Sequence, residues 1–121
     1  MENDIHSTCS RLTTGGLSLP GLWDAALDCA QSERNAHTFT SLVKSGVAFP
    51  GPPPGILLGL PVSVKDLFDV AGQVTAAGSA LLKGAAAATT HATGVHRLLA
   101  SGARIIGRTN MSEFAFSGVG T

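Results

Sequence analysis

Charge is scarce in this sequence. Only 13% of its 121 residues are Asp, Glu, Lys or Arg, against roughly 25% in an ordinary soluble domain, so little is available to clothe a free surface. The eight bases balance the eight acids to a net charge of zero, and without a basic field a polyanion such as nucleic acid is excluded as a direct partner. Aromatics are also few, with five Phe, one Trp and no Tyr, which leaves few large anchors for an independent core. No apolar run approaches the ~18 residues of a membrane span, and no membrane association is expected. Met1-Glu2-Asn3-Asp4-Ile5-His6 is acidic with no apolar run behind it, unlike a secretory signal. The two cysteines, Cys9 and Cys29, have no metal-ligand spacing and read as reduced thiols. A cytoplasmic location is the expectation.

Small residues fill the gap. The chain carries 17 Ala and 15 Gly, which suit closely packed backbones in the inner layers of a larger structure. Residues 1–18, rich in Ser, Thr and Gly without periodicity, read as a mobile tail. From Pro20, the residues Leu22, Trp23, Ala26, Leu27 and Ala30 share one helical face with Asp24 and Asp28 opposite, so an amphipathic helix is expected over about 20–34. Thr38–Val43 is a weak strand candidate. The Pro/Gly-rich stretch 50–55 reads as an extended connector.

The C-terminal half has a clearer pattern. Pro61 can open a strand, after which Val62 and Val64 face one way and Ser63 and Lys65 the other. Val95, Leu98 and Leu99 have helical spacing within 92–101, with Gly102 placed to terminate that helix. Arg104-Ile105-Ile106-Gly107-Arg108 is a buried strand. Strand, crossover helix and strand make a βαβ unit with parallel strands, whose C-terminal ends are where sites form. Lys65, Ser63, the turn glycines and the Thr109-Asn110-Met111 loop gather on that rim.

Lys65 is the residue in most need of explanation. At a sheet edge it extends to solvent like any lone lysine, but between covered faces an ammonium loses hydration and becomes a usable base or nucleophile. Asp66 follows on the opposite face, so a direct Lys65–Asp66 pair is not expected. His91 and His96, five apart, miss the spacing of a zinc helix and read as solvent-facing. Asn110 and Glu113, three apart, have the spacing of a cap and its capping partner, with a supporting role beneath a site as the alternative.

Three blocks carry a resemblance: Gly59-Leu60-Pro61-Val62-Ser63-Val64-Lys65-Asp66; then Gly72, Val74-Thr75 and Ala77-Gly78-Ser79; then Gly102-Ala103-Arg104-Ile105-Ile106-Gly107-Arg108-Thr109-Asn110-Met111-Ser112-Glu113-Phe114-Ala115. In order and spacing they resemble the front part of the amidase signature family, over about residues 55–121. The resemblance implies an α/β fold, the N-terminal part of an α/β/α sandwich with a mixed sheet that contains the βαβ unit. Residues 19–121 would then be the N-terminal fragment of a single amidase-type domain. It also implies hydrolysis of small-molecule amides by a Ser–cis-Ser–Lys triad, with Lys65 as the triad lysine, Asn110 and Met111 in supporting positions, and no cofactor or metal.

The sequence departs from the family at its end. The Gly/Ser-rich block that carries the two serines and the oxyanion loop comes later in the family than Gly118-Val119-Gly120-Thr121. No local serine substitutes: Ser63 shares Lys65's face, but at i, i+2 their Cβ atoms lie about 6.5–7 Å apart and nothing supplies an oxyanion hole, while Ser79, Ser112 and Ser117 fall in turns or near a cap. Two expectations follow: the chain is part of an amide hydrolase, inactive alone, or a truncated non-catalytic α/β protein that at most associates with a partner. Substrate-binding residues and oligomeric state are not legible.

Overall fold

The computed structural model describes residues 4–44 and 55–116. The connector proposed at 50–55 lies outside them except for Gly55, as do Ser117 and the last four residues.

The first element departs from expectation. Ile5–Thr14 forms helix α1 although the segment lacks an apolar stripe, and it buries no residue. Its ends account for it: Asp4 caps the N-terminus by accepting a hydrogen bond from the Ser7 N–H, and Gly15 closes the C-terminus in the left-handed region at φ 78°. Helix α2, Leu19–Gln31, begins with Ser18 accepting from the Gly21 N–H and with a proline in its first turn. It buries Trp23, Leu27 and Ala30 and leaves Asp24 and Asp28 exposed, as its amphipathic pattern requires.

Among the described residues, three strands form one mixed sheet: β1 (Phe39–Leu42), β2 (Pro61–Lys65) and β3 (Arg104–Thr109), in spatial order β1-β3-β2. β2 runs parallel to β3 and β1 antiparallel to it. The crossover between β2 and β3 contains helix α3, Thr93–Ala100, ended by Gly102 at φ 92°. Ile105 and Ile106, adjacent in β3, point to opposite faces. Ile106 packs with Trp23 and Leu27 of α2, whereas Ile105 packs on the cluster of Val64, Val70 and Val95. The sheet is therefore covered by α2 on one side and α3 on the other, the layering of an α/β/α sandwich. Each of these apolar side chains contributes on the order of 1.5–3 kcal/mol when removed from water. Leu98, grouped by spacing with the core face of α3, is instead 41% exposed. Trp23 also donates its indole Nε1–H to the Gly59 carbonyl at 2.9 Å, which ties α2 to the entry of β2.

Candidate functional site

Lys65 ends β2 and stands level with Thr109, the last residue of β3. The next residue on that side is Asn110, so the two parallel strands do bring Lys65 and the Thr109-Asn110-Met111 loop to one rim of the sheet. Their surroundings differ. Lys65 and Ser63 line a cavity of about 590 Å³ together with Phe68, Arg97, Leu98 and Ser101. Asn110 lines another, of about 720 Å³, with His37, Ser41, Gln73, Lys83 and Arg108. Lys65 is exposed, and its ammonium has no hydrogen bond or ion pair with any described residue. The loss of hydration expected of a lysine inside a covered sheet is thus not supplied by the described residues. No hydrogen bond joins Lys65 to Ser63, which is also exposed.

The crossover leaves β2 through a loop that is tied down polar group by polar group. The Asp66 N–H donates to the Thr109 carbonyl at 3.1 Å and the Asp66 carbonyl accepts from Ala77 at 2.8 Å. Its carboxylate receives Arg108 Nη2 at 2.9 Å and the Ala76 N–H at 3.4 Å. Arg108 Nη1 reaches the Phe68 carbonyl at 2.9 Å. Sequence reasoning does not find this buried pair, although a signal is present: an arginine inside an apolar strand requires a carboxylate. His91 is not solvent-facing as its spacing suggests. It is half-buried, and its Nδ1 accepts the Ala71 N–H at 3.1 Å, which braces the same loop.

Asn110 and Glu113 do not form a cap and its partner. The Asn110 Oδ1 accepts from the Met111 N–H at 2.9 Å and its Nδ2 donates to the His37 carbonyl at 3.4 Å, so Asn110 fastens the end of β3 to the approach of β1. The helix expected after it is a single 3-10 turn, Glu113–Ala115, which follows Ser112 without a side-chain cap. The turn Ala77-Gly78-Ser79 explains the shortening. Phe114 donates its N–H to the Ala77 carbonyl at 2.8 Å, and Phe114 and Ala115 take positive φ of 50° and 59°. Gly78, at φ 71°, lies so close that a Cβ there would stand 2.6 Å from the Met111 carbonyl oxygen. Met111 is buried. Ser79, expected to hydrogen-bond within a turn, is 1% exposed and its hydroxyl has no partner among the described residues.

Among the described residues no group of three or more His, Cys, Asp or Glu side chains could hold a metal ion, and no helix is long and apolar enough to cross a membrane. Cys9 and Cys29 are both free thiols.

The profile of the amidase family matches residues 24–121. The chain belongs to the amidase family. Among its relatives, AtzE of Pseudomonas sp. (strain ADP), which forms part of a 1-carboxybiuret hydrolase, is 47% identical over 60 residues, covering 50% of this chain and 13% of AtzE. A component of the glutamyl-tRNA(Gln) amidotransferase of Treponema denticola is 40% identical over 84 residues, or 69% of this chain and 16% of that protein. The fold also matches the peptide amidase of Stenotrophomonas maltophilia with a TM-score of 0.73 and 26% identity, over 93% of this chain and 26% of that one. The amidase-family chain therefore spans well under a fifth of the length of these curated relatives.

Proposed function

We propose that residues 19–121 are the N-terminal portion of an amide-hydrolysing domain in which Lys65 is the base of a Ser–cis-Ser–Lys triad, the two serines being contributed by residues outside this sequence. The observation that carries the reading is the position of Lys65: the terminal residue of a parallel strand, on the rim where the β3 loop also opens, with no competing ion pair among the described residues, inside the family-matched region.

A neutral Lys65 amine accepts a proton through the middle serine from the nucleophilic serine, whose oxygen bonds to the amide carbonyl carbon. Backbone N–H groups beside the nucleophile hold the oxyanion, an effect worth about 3–4 kcal/mol per donor in comparable sites. As the C–N bond breaks, the proton returns by the same relay to the departing ammonia or amine, and water then cleaves the acyl-enzyme. The lysine must be neutral for the first step, so the segment that brings the serines also has to cover Lys65, which is otherwise exposed. The substrate is a small-molecule amide, and the free Cys9 and Cys29 suit a reducing compartment such as the cytoplasm.

In this reading the 121-residue chain alone hydrolyses no amide. The intact mass of the protein in its native source tests it first: a mass several times 12.2 kDa provides room for the missing serines, and a mass of 12.2 kDa assigns the chain to the non-catalytic class. Turnover of an aryl amide by the purified chain, unchanged in Lys65→Ala, would remove Lys65 from the mechanism.

A further inference from the structure

The residue after Lys65 is an acid, and the structure places its carboxylate in a different cavity. Lys65 lines the space of about 590 Å³ with Ser63, Phe68 and Arg97, whereas Asp66 lines the one of about 720 Å³ with Arg108 and Asn110. Arg108 holds the carboxylate there. Its Nη2 bonds to Asp66 Oδ1 at 2.9 Å, and its Nη1 bonds to the Phe68 carbonyl at 2.9 Å. The Phe68 N–H in turn donates to the Lys65 carbonyl at 3.1 Å. One guanidinium therefore grips the turn that Lys65 opens and neutralises the acid next to Lys65 in the chain.

We propose that Arg108 is a positioning residue for the Lys65 base: by binding Asp66 it prevents that carboxylate from holding Lys65 as an ammonium ion. This inference rests on the proposed role of Lys65 in amide hydrolysis, and the need for it is specific to that role. A carboxylate without a counterion favours the charged form of a neighbouring amine, and the Asp66 side chain, only 7% exposed, is little screened by water and salt. An ammonium has no lone pair with which to accept the proton relayed from the serines. With Arg108 in place the pair carries no net charge and does not oppose deprotonation of the lysine.

The other ionisable groups on the elements around Lys65 are differently engaged. Asp69, further along the same loop, is exposed and accepts from the Thr75 hydroxyl at 2.7 Å. His91 accepts the Ala71 N–H on its Nδ1. From α3, Arg97 lines the Lys65 cavity and His96 does not; the exposed Arg97 also disfavours a second cation there, but it is open to screening. From β3, Arg104 stands level with Pro61 at the far end of β2. Asp66 is the buried carboxylate among them, and Arg108 is its counterion.

The pH dependence of kcat/KM for a neutral aryl amide, measured on the native-length protein, provides the test, because its acidic limb reports the base of the free enzyme. In Arg108→Met the uncompensated carboxylate is expected to move that limb upward by about one pH unit. In Asp66→Asn, which keeps an acceptor for Arg108, the uncompensated guanidinium is expected to move it downward by about as much. Arg108→Lys retains the charge but not the two-pronged grip, so its limb should stay at the wild-type pH even where kcat falls. A pair that only fastened the loop would lower kcat and leave the limb in place in all three. A folded Arg108→Met or Asp66→Asn protein with its limb at the wild-type pH overturns the proposal, and where Arg108→Met does not fold, Asp66→Asn decides alone. Lys65→Ala, assayed in parallel, separates the two claims. A wild-type rate in that variant removes the hydrolytic role of Lys65 and this proposal with it, whereas an inactive Lys65→Ala beside unmoved limbs removes only the role of Arg108.

Discussion

Arg108 of β3 and Asp66, the first residue after β2, form an ion pair at 2.9 Å with side chains only 4% and 7% exposed. The pair joins the end of the central strand to the loop that leaves its neighbour, and Arg108 also grips that loop at the Phe68 carbonyl. Removal of one partner leaves a buried charge with no counterion. Arg108→Met or Asp66→Leu is therefore expected to cost about 3–5 kcal/mol, measured by denaturant unfolding. The double variant Asp66→Leu/Arg108→Met should cost less than either single one. Strict additivity of the two losses would show that the side chains are not coupled.

Gly78 is held where a side chain has no room. Its φ of 71° and the 2.6 Å approach to the Met111 carbonyl impose two separate penalties on Gly78→Ala. The left-handed backbone alone costs about 1–2 kcal/mol for an L-residue, and relief of the backbone clash must displace the 111–114 segment. The expected result is a destabilisation above about 2 kcal/mol with increased exposure of Met111 to oxidation. A neutral substitution would mean that the 77–79 turn does not dock as described.

Helix α1 should respond to acid. The Ser7 backbone N–H bonded to Asp4 holds that carboxyl below its ordinary value, with the Ser7 side chain and His6 acting in the same direction. Because the folded-state pKa is depressed, the cap's contribution is complete above the ordinary carboxylate pKa and is lost as pH falls through the folded one. Helicity of α1, followed by chemical shifts of residues 5–14, should therefore decline on acidification, and Asp4→Asn should remove the pH dependence while it keeps the cap.

Lys65 contributes little to the fold of this chain. It is exposed and makes no ion pair with any described residue, so Lys65→Ala is expected to shift stability by no more than about 0.5 kcal/mol. A large loss would identify a packing role for the lysine.

What could be read from sequence follows from where each signal resides. β2 was legible because Pro61-Val62-Ser63-Val64-Lys65 alternates cleanly, and α2 because its apolar residues recur on one face. The βαβ unit was legible from Gly102 between helical and strand patterns. Helix α1 was not, since its stability comes from Asp4 and Gly15 at its ends and not from an apolar stripe. The Asp66–Arg108 pair depends on a register shift: Val62 faces Ile105, but Ser63 faces Gly107 and Val64 faces Arg108, and no local pattern encodes that slip. The Asn110–Glu113 spacing suggested a cap because nothing local reveals that Gly78 and Ala77 occupy that backbone from a loop more than thirty residues earlier. Lys65 stands out from its place at the end of β2, where solvent exposure is one of the two readings the sequence offers, and its role as a triad lysine comes from the resemblance alone.

The central claim is that Lys65 moves the proton in amide hydrolysis, and the direct measurement is aryl-amide turnover by the native-length protein and by its Lys65→Ala variant under identical conditions. The account expects kcat to fall by roughly 10²–10⁴ with folding stability unchanged. A Lys65→Ala protein that hydrolyses the amide at the wild-type rate would contradict it.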